Sequence, residues 1–107
     1  MGRIVRDLEG QFVKIVEQKD ASEEETAITE INTGCYAFDG KLLLETLDRI
    51  RPSNSQSEYY LTDCPAILRA DGHEVFAKER FDIHEAMGVN TPDQLAEVQT
   101  ILQTATA

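Results

Sequence analysis

Arg3-Ile4-Val5-Arg6-Asp7-Leu8-Glu9-Gly10-Gln11-Phe12-Val13-Lys14-Ile15-Val16-Glu17 is the stretch from which the architecture is best read. Two short runs rich in β-branched residues, 3–6 and 12–17, flank the turn formers Asp7-Leu8-Glu9-Gly10. Branched side chains suit a pleated surface, and Asp and Gly suit a tight reversal, so the stretch predicts a β-hairpin. Beyond it the period changes. Lys19 and Asp20 end the second strand, and Ser22-Glu23-Glu24-Glu25 predicts a short helix over 21–29. Ser22 or Asp20 caps that helix, and the glutamates sit in the first turn, where the dipole favours negative charge. Three consecutive glutamates there make a solvated face, with no need of metal chemistry.

Residues 30–39 read as a buried strand ended by Gly40, with Gly34 and Ala37 small enough to admit a backbone or a ligand. Leu43, Leu47 and Ile50 recur at helical spacing, which predicts an amphipathic helix over 41–51. Residues 52–57 are a polar loop. Leu61, Cys64, Ile67 and Leu68 then share a helical face. Pro65 is tolerated only in a first turn, so Thr62 or Asp63 is expected near the N-cap, and Asp71-Gly72 ends the helix. Residues 73–81 predict a strand, with Val75 and Ala77 on one side and Phe76 on the other. Residues 82–87 predict one helical turn, and 88–90 a loop. Thr91-Pro92-Asp93-Gln94 is a capping box with Pro at the first helical position, and Leu95, Val98, Ile101 and Leu102 form the stripe of the last helix. Strands alternating with helices predict an α/β fold with a mixed sheet, an N-terminal hairpin and flanking helices.

The 107 residues suffice for one small domain or a piece of a larger one. Acidic residues number 20 against 10 basic, a net charge of −10. That balance argues against nucleic acid, whose phosphates need Lys and Arg, and against an anionic membrane surface. No apolar run approaches the roughly 20 residues of a spanning helix and no signal peptide opens the chain, so a soluble, cytoplasmic protein is expected. Cys35 and Cys64 lie 29 positions apart in apolar stretches and read as reduced, buried thiols. His73 and His84 lack helical partners at metal-ligand spacing and read as surface residues.

Nucleophile elbows, metal-ligand clusters and glycine-rich phosphate loops are missing from the 107 residues. What stands out is polar residues beside small ones at the ends of elements: Glu17, Asn32-Thr33-Gly34, Tyr59-Tyr60-Leu61-Thr62 and Asn90. An amide in an apolar strand needs partners, because an unpaired buried amide costs a few kcal/mol, and on composition alone Asn32 reads as a cap for nearby backbone.

Five motifs in order change that balance. G-R-I-V-R at 2–6, I-V-E-x-K-D-A at 15–21, E-I-N-T-G at 30–34, E-Y-Y-L-T-D at 58–63 and G-V-N at 88–90 together resemble the C-terminal half of the uridyltransferase domain of the bifunctional N-acetylglucosamine-1-phosphate uridyltransferase/glucosamine-1-phosphate acetyltransferase family. The resemblance covers nearly the whole chain. It implies a Rossmann-like nucleotidyltransferase fold, here partial, and a Mg²⁺-dependent reaction of UTP with N-acetylglucosamine 1-phosphate that releases pyrophosphate and forms UDP-N-acetylglucosamine.

The resemblance also implies roles. Gly2 is the glycine whose backbone approaches the sugar nucleotide, as only a residue without Cβ permits. Glu17 accepts hydrogen bonds from sugar hydroxyls, and Asn32 reads the sugar with both a donor and an acceptor. Tyr60 and Thr62 are pocket walls, and Asn90 is an oxygen ligand of Mg²⁺. Three positions depart from the family. Asn54-Ser55-Gln56-Ser57 stands where it reads N-A-Q-G, Cys64-Pro65 replaces an aliphatic pair and delays the helix start, and Met1 replaces an aromatic. The family's glycine-rich loop, its catalytic Arg and Lys, its uracil-binding residues and a metal-binding Asp all precede the position of Gly2, and its acetyltransferase β-helix is also outside these residues. The expectation is therefore the sugar-binding half of a nucleotidyltransferase-like domain over 1–107, inactive alone, with a sugar nucleotide or sugar phosphate as ligand. The alternative is a non-catalytic module that forms a homo-oligomer through exposed sheet edges.

Overall fold

Asp7 makes the first reversal of the chain: its Oδ1 accepts from the backbone N–H of Glu9 and of Gln11, both at 2.9 Å. Gly10 follows at φ 80°, in the left-handed region that a side chain disfavours. On either side run β1 (Arg3–Arg6) and β2 (Phe12–Val16), antiparallel, with Ile4 opposite Ile15. The register slips between Val5 and Arg6, a bulge that leaves Val13 without an opposite number and bends β2. The computed structural model describes residues 1–106, and among them this hairpin is the one regular sheet. The mixed sheet expected from the sequence is therefore replaced by a two-stranded antiparallel one in a mixed α/β fold.

Both remaining strands fail to form, each for a local reason. At 30–39 the chain pairs with β1 only around Ile31, through an antiparallel bridge to Arg3, with Ile4 N–H donating to Glu30 O and Asn32 N–H to Gly2 O, both at 2.9 Å. Asn32 Oδ1 then accepts from Gly34 N–H at 3.1 Å and Gly34 turns away at φ 80°, so a side chain takes the place of the ladder. Cys35 is consequently exposed, not buried as expected. At 73–81 the expected alternation survives without a ladder. Val75 and Ala77 pack on the core of Ile4, Phe12 and Ile15, beside Tyr36, while Phe76 is 74% exposed. Arg6 holds this segment by donating from Nη2 to the Ala77 carbonyl at 2.8 Å.

The helices follow their caps. α1 (Glu23–Thr26) carries the Ser22–Glu25 capping box and buries nothing, so no packing extends it across 21–29. α2 (Gly40–Leu47) is capped by the Asp39 side chain, which accepts from Leu42 N–H. It ends earlier than 51 because Ile50 N–H turns back to Leu47 O, which tucks Ile50 into the core. A 3₁₀ turn (Leu61–Asp63) leads into α3 (Cys64–Ala70), with Pro65 in its first turn as expected. Gly72 at φ 89° ends α3: its N–H donates to Arg69 O and that of His73 to Leu68 O, the Schellman pattern. α3 packs on α2 and β2, and Cys64 is wholly buried. Leu61, placed on the same face by spacing, stays 45% exposed.

Asp82 and Glu85 form a capping box on a 3₁₀ turn (Ile83–Ala86), and Thr91 and Gln94 form the reciprocal pair that starts α4 (Pro92–Thr106). The α4 stripe is not buried: Leu95 and Leu102 are 47% and 58% exposed. The radius of gyration, 15.9 Å, exceeds the ~13 Å expected of a compact chain this long. No helix among the described residues is long and apolar enough to cross a membrane.

Candidate functional site

Glu17 stands at the end of β2, and the chain meets it from two directions. Thr62, 45 positions later in the 3₁₀ turn before α3, donates from Oγ1 to Glu17 Oε1 at 3.0 Å. Gly2, buried beside β2, faces it: a Cβ built there would lie 3.3 Å from Ile15 Cγ2, 3.4 Å from Val16 O and 3.5 Å from Glu17 Oε1. The Asn32 backbone N–H donates to Gly2 O. Four of the six residues singled out by motif are thus joined through hydrogen bonds or close packing.

The Asn32 amide is engaged on both sides. The Tyr36 hydroxyl lies 2.7 Å from its Nδ2 and 3.0 Å from its Oδ1, which also caps Gly34. The reading of Asn32 as a cap for nearby backbone is therefore correct locally, and Tyr36 is its side-chain partner. Burial raises the Tyr36 phenol above its usual range, the Asn32 bond opposes that shift, and nearby Glu17 adds to it.

Two hollows open around this group. The larger, about 680 Å³, lies between the hairpin face and residues 73–83, with Phe12, Asn32, Tyr36, Phe38 and Phe81 among its walls. The smaller, about 220 Å³, is lined by Lys14, Glu17, Asp20, Asn54, Tyr60 and Asp63, and Ile15 separates the two. Tyr60 thus shares the smaller hollow with Glu17. Its hydroxyl donates to Asp20 Oδ2 at 3.1 Å and accepts from Gln56 Nε2 at 2.5 Å. Burial pushes the Asp63 carboxyl above the usual range, and Asp20 and Glu17 push it further.

Three carboxylates around one lysine, itself 3.2 Å from Glu25, give the smaller hollow a negative potential. It suits hydroxyl and amide donors and repels anions. Beside it, the turn at 54–57 forms with Ser57 where the family has glycine. Asn54 Oδ1 accepts from Gln56 and Glu58 N–H, and Ser57 adopts φ 52°. Sequence reasoning gave Asp20, Tyr36 and Asn54 no site role. The available signal was that Asp20 lies within the 15–21 motif and that Tyr36 and Asn54 are polar side chains two and four residues from the 30–34 and 58–63 motifs.

Asn90 lies apart. It sits in the exposed loop before α4, its N–H donates to Gln94 Oε1 at 2.7 Å, and it lines neither hollow. One amide oxygen does not make the octahedral shell Mg²⁺ demands, and among the described residues no group of three or more His, Cys, Asp or Glu is placed to hold a metal. The described residues thus form no metal centre on their own.

No protein-family model matches the chain. It is 50% identical over 103 residues to the bifunctional protein GlmU of Alkaliphilus oremlandii (strain OhILAs), which is 96% of this chain and 23% of that protein. Identity is also 50% over 102 residues with the bifunctional protein GlmU of Clostridioides difficile (strain 630) and of Streptococcus pyogenes serotype M12 (strain MGAS2096), covering 22% and 24% of those proteins. The chain therefore spans under a quarter of the length of these relatives. The five ordered motifs and the comparisons agree: over nearly its whole length this chain is related to one segment of the bifunctional GlmU family.

Proposed function

We propose that these residues form the sugar-facing wall of an N-acetylglucosamine-1-phosphate uridyltransferase site, as part of a Rossmann-like nucleotidyltransferase domain. The observation that carries this is the Thr62–Glu17 hydrogen bond, which joins two motif residues from opposite ends of the hairpin-to-α3 unit, with Gly2 against the same carboxylate. Glu17 accepts from sugar hydroxyls, Gly2 leaves room for the ring, Asn32 faces the acetamido group, and Tyr60 and Thr62 close the side. Asn90 would offer one oxygen to Mg²⁺, which would neutralise phosphate charge when bound. The groups that would align a triphosphate are not among the 107 residues, and the net charge of −10 supplies no replacement field, so the chain by itself does not catalyse nucleotidyl transfer.

Isothermal titration of the 107-residue chain with UDP-N-acetylglucosamine tests the reading. Saturable binding, lost in Glu17→Ala and in Asn32→Ala, is expected, and binding that ignores both substitutions refutes it. In the same preparation, UTP, Mg²⁺ and N-acetylglucosamine 1-phosphate should release no pyrophosphate.

Self-association is favoured by a separate observation. Phe76, Phe81, Ile83, Leu95 and Leu102 are large, apolar and each about half or more exposed. Such surface promotes association. Sedimentation that stays monomeric at high concentration would rule that reading out.

A further inference from the structure

We propose that Asp20 is a positioning residue of the smaller hollow, fastening Tyr60 and the 54–57 turn to the strand end that carries Glu17. This rests on the reading that the hollow takes the sugar. Asp20 lies one 3₁₀ turn beyond Glu17, and its N–H donates to Glu17 O at 2.9 Å, which fixes its place relative to the carboxylate that meets the sugar. Its two side-chain oxygens then reach across to a remote segment. Oδ1 accepts from Ser55 N–H at 2.7 Å, and Oδ2 accepts from the Tyr60 hydroxyl at 3.1 Å. Two residues past Tyr60, Thr62 donates back to Glu17.

The result is a closed circuit: Glu17 to Asp20 by backbone, Asp20 to Tyr60 by carboxylate, Tyr60 to Thr62 along the chain, and Thr62 to Glu17. Within the circuit the position of Tyr60 depends on Asp20. Its other polar partner is Gln56, which belongs to the same turn and moves with it. The turn also carries Ser57 at φ 52°, a left-handed conformation that a side chain disfavours, and the Asp20–Ser55 bond ties it from outside. A carboxylate suits this place because it accepts two hydrogen bonds at once and both are charge-assisted.

The test pairs ligand binding with a local probe in the whole 107-residue chain. Asp20→Ala is expected to weaken UDP-N-acetylglucosamine binding about fivefold, the loss of one or two net hydrogen bonds, and to remove hydrogen-exchange protection from the Ser55 amide. Asp20→Asn keeps an oxygen for Ser55 and gives the Tyr60 oxygen a donor, so it should recover most of both. A general loss of structure would not show this recovery. If Asp20→Ala folds poorly, the proposal is decided by Asp20→Asn against Asp20→Leu. If the unsubstituted chain binds no UDP-N-acetylglucosamine, the sugar reading fails and the positioning role fails with it. If the chain binds and the Asp20 variants bind within twofold of it, the positioning role alone is overturned.

Discussion

Arg6 and Glu30 offer the sharpest test of how the hairpin is tied to the rest of the chain. Arg6 Nε donates to Glu30 Oε1 at 2.7 Å and Nη2 to Oε2 at 2.8 Å, a bidentate fork. Nη2 also reaches the Ala77 carbonyl and Nη1 the Gly10 carbonyl, so one guanidinium links β1, the 30–32 bridge, the hairpin turn and the 73–81 segment. The side chains are 30% and 17% exposed. Fully exposed pairs contribute about 0.2–1 kcal/mol, while breaking a buried pair costs about 3–5 kcal/mol. This pair lies between those cases, and the two-point geometry adds specificity, so we expect a coupling energy of about 1.5 kcal/mol. A double-mutant cycle with Arg6→Ala and Glu30→Ala, read by urea unfolding, measures it. The hydrogen bond from Arg6 lowers the Glu30 carboxyl below the ordinary 4.5, against the opposing effect of burial. The stabilisation is therefore complete above pH ~4.5 and is lost as pH falls through the lowered value, so wild type and Arg6→Ala should converge in acid. A coupling below about 0.3 kcal/mol, or a gap independent of pH, would refute the assignment of the fork as the tie.

Three further outcomes follow from the geometry. Gly2→Ala should keep stability within about 1 kcal/mol, because the stiffer unfolded chain offsets the tight approach to Ile15, yet weaken UDP-N-acetylglucosamine binding by filling space beside Glu17 that the proposed ligand uses; unchanged affinity in titration contradicts it. Ser57→Gly should stabilise the chain by about 0.5–1 kcal/mol in urea unfolding by removing left-handed strain, and a loss of stability would mean the turn is not strained. Asp63→Asn should raise the melting temperature at pH 7 and change little in strong acid. Its carboxyl lies above the ordinary 3.8 through burial, then Asp20 and Glu17, so the ionised form penalises folding as pH rises through that window; a melting temperature lowered at pH 7 would reverse the sign.

The elements legible in the sequence are those specified within a few residues. The Ser22 cap, the Thr91–Gln94 box and the Asp71-Gly72 stop are local hydrogen-bond patterns and stand where they were read, whereas the equally local Asp39 cap was read as the end of a strand. The hairpin belongs with them, since Asp7 and Gly10 decide it. The strands expected at 30–39 and 73–81 failed because a strand needs a partner edge, which no periodicity reports. Val75 and Ala77 do face the core, so the alternation was real, but Arg6 holds that segment by a side chain where a ladder was expected. The stripe on α4 was likewise read correctly as a stripe, and wrongly as buried. Gly2, Glu17, Asn32 and Thr62, which the structure brings together, were given roles only through the ordered motifs. Nothing in local pattern shows that a residue at 62 will return to one at 17.

The electrostatics of the smaller hollow bear on which end of a sugar nucleotide these residues meet. Glu17, Asp20 and Asp63 face it with Lys14 as the cation in its lining, and Lys14 is drawn to Glu25. A diphosphate placed there would face three carboxylates and be repelled by each of them. Sugar hydroxyls carry no charge and can donate to carboxylate oxygens. On the proposed reading the hollow therefore discriminates by sign before any shape is considered, and the phosphates of a bound sugar nucleotide lie outside it. Replacing Asp63 by Lys balances the two remaining carboxylates with two cations and should remove this bias against anions. The free phosphate ion, which we expect not to bind the native hollow, should then compete with UDP-N-acetylglucosamine in titration. If phosphate competes equally well against the unsubstituted chain, the sign of the field is not what selects the sugar end.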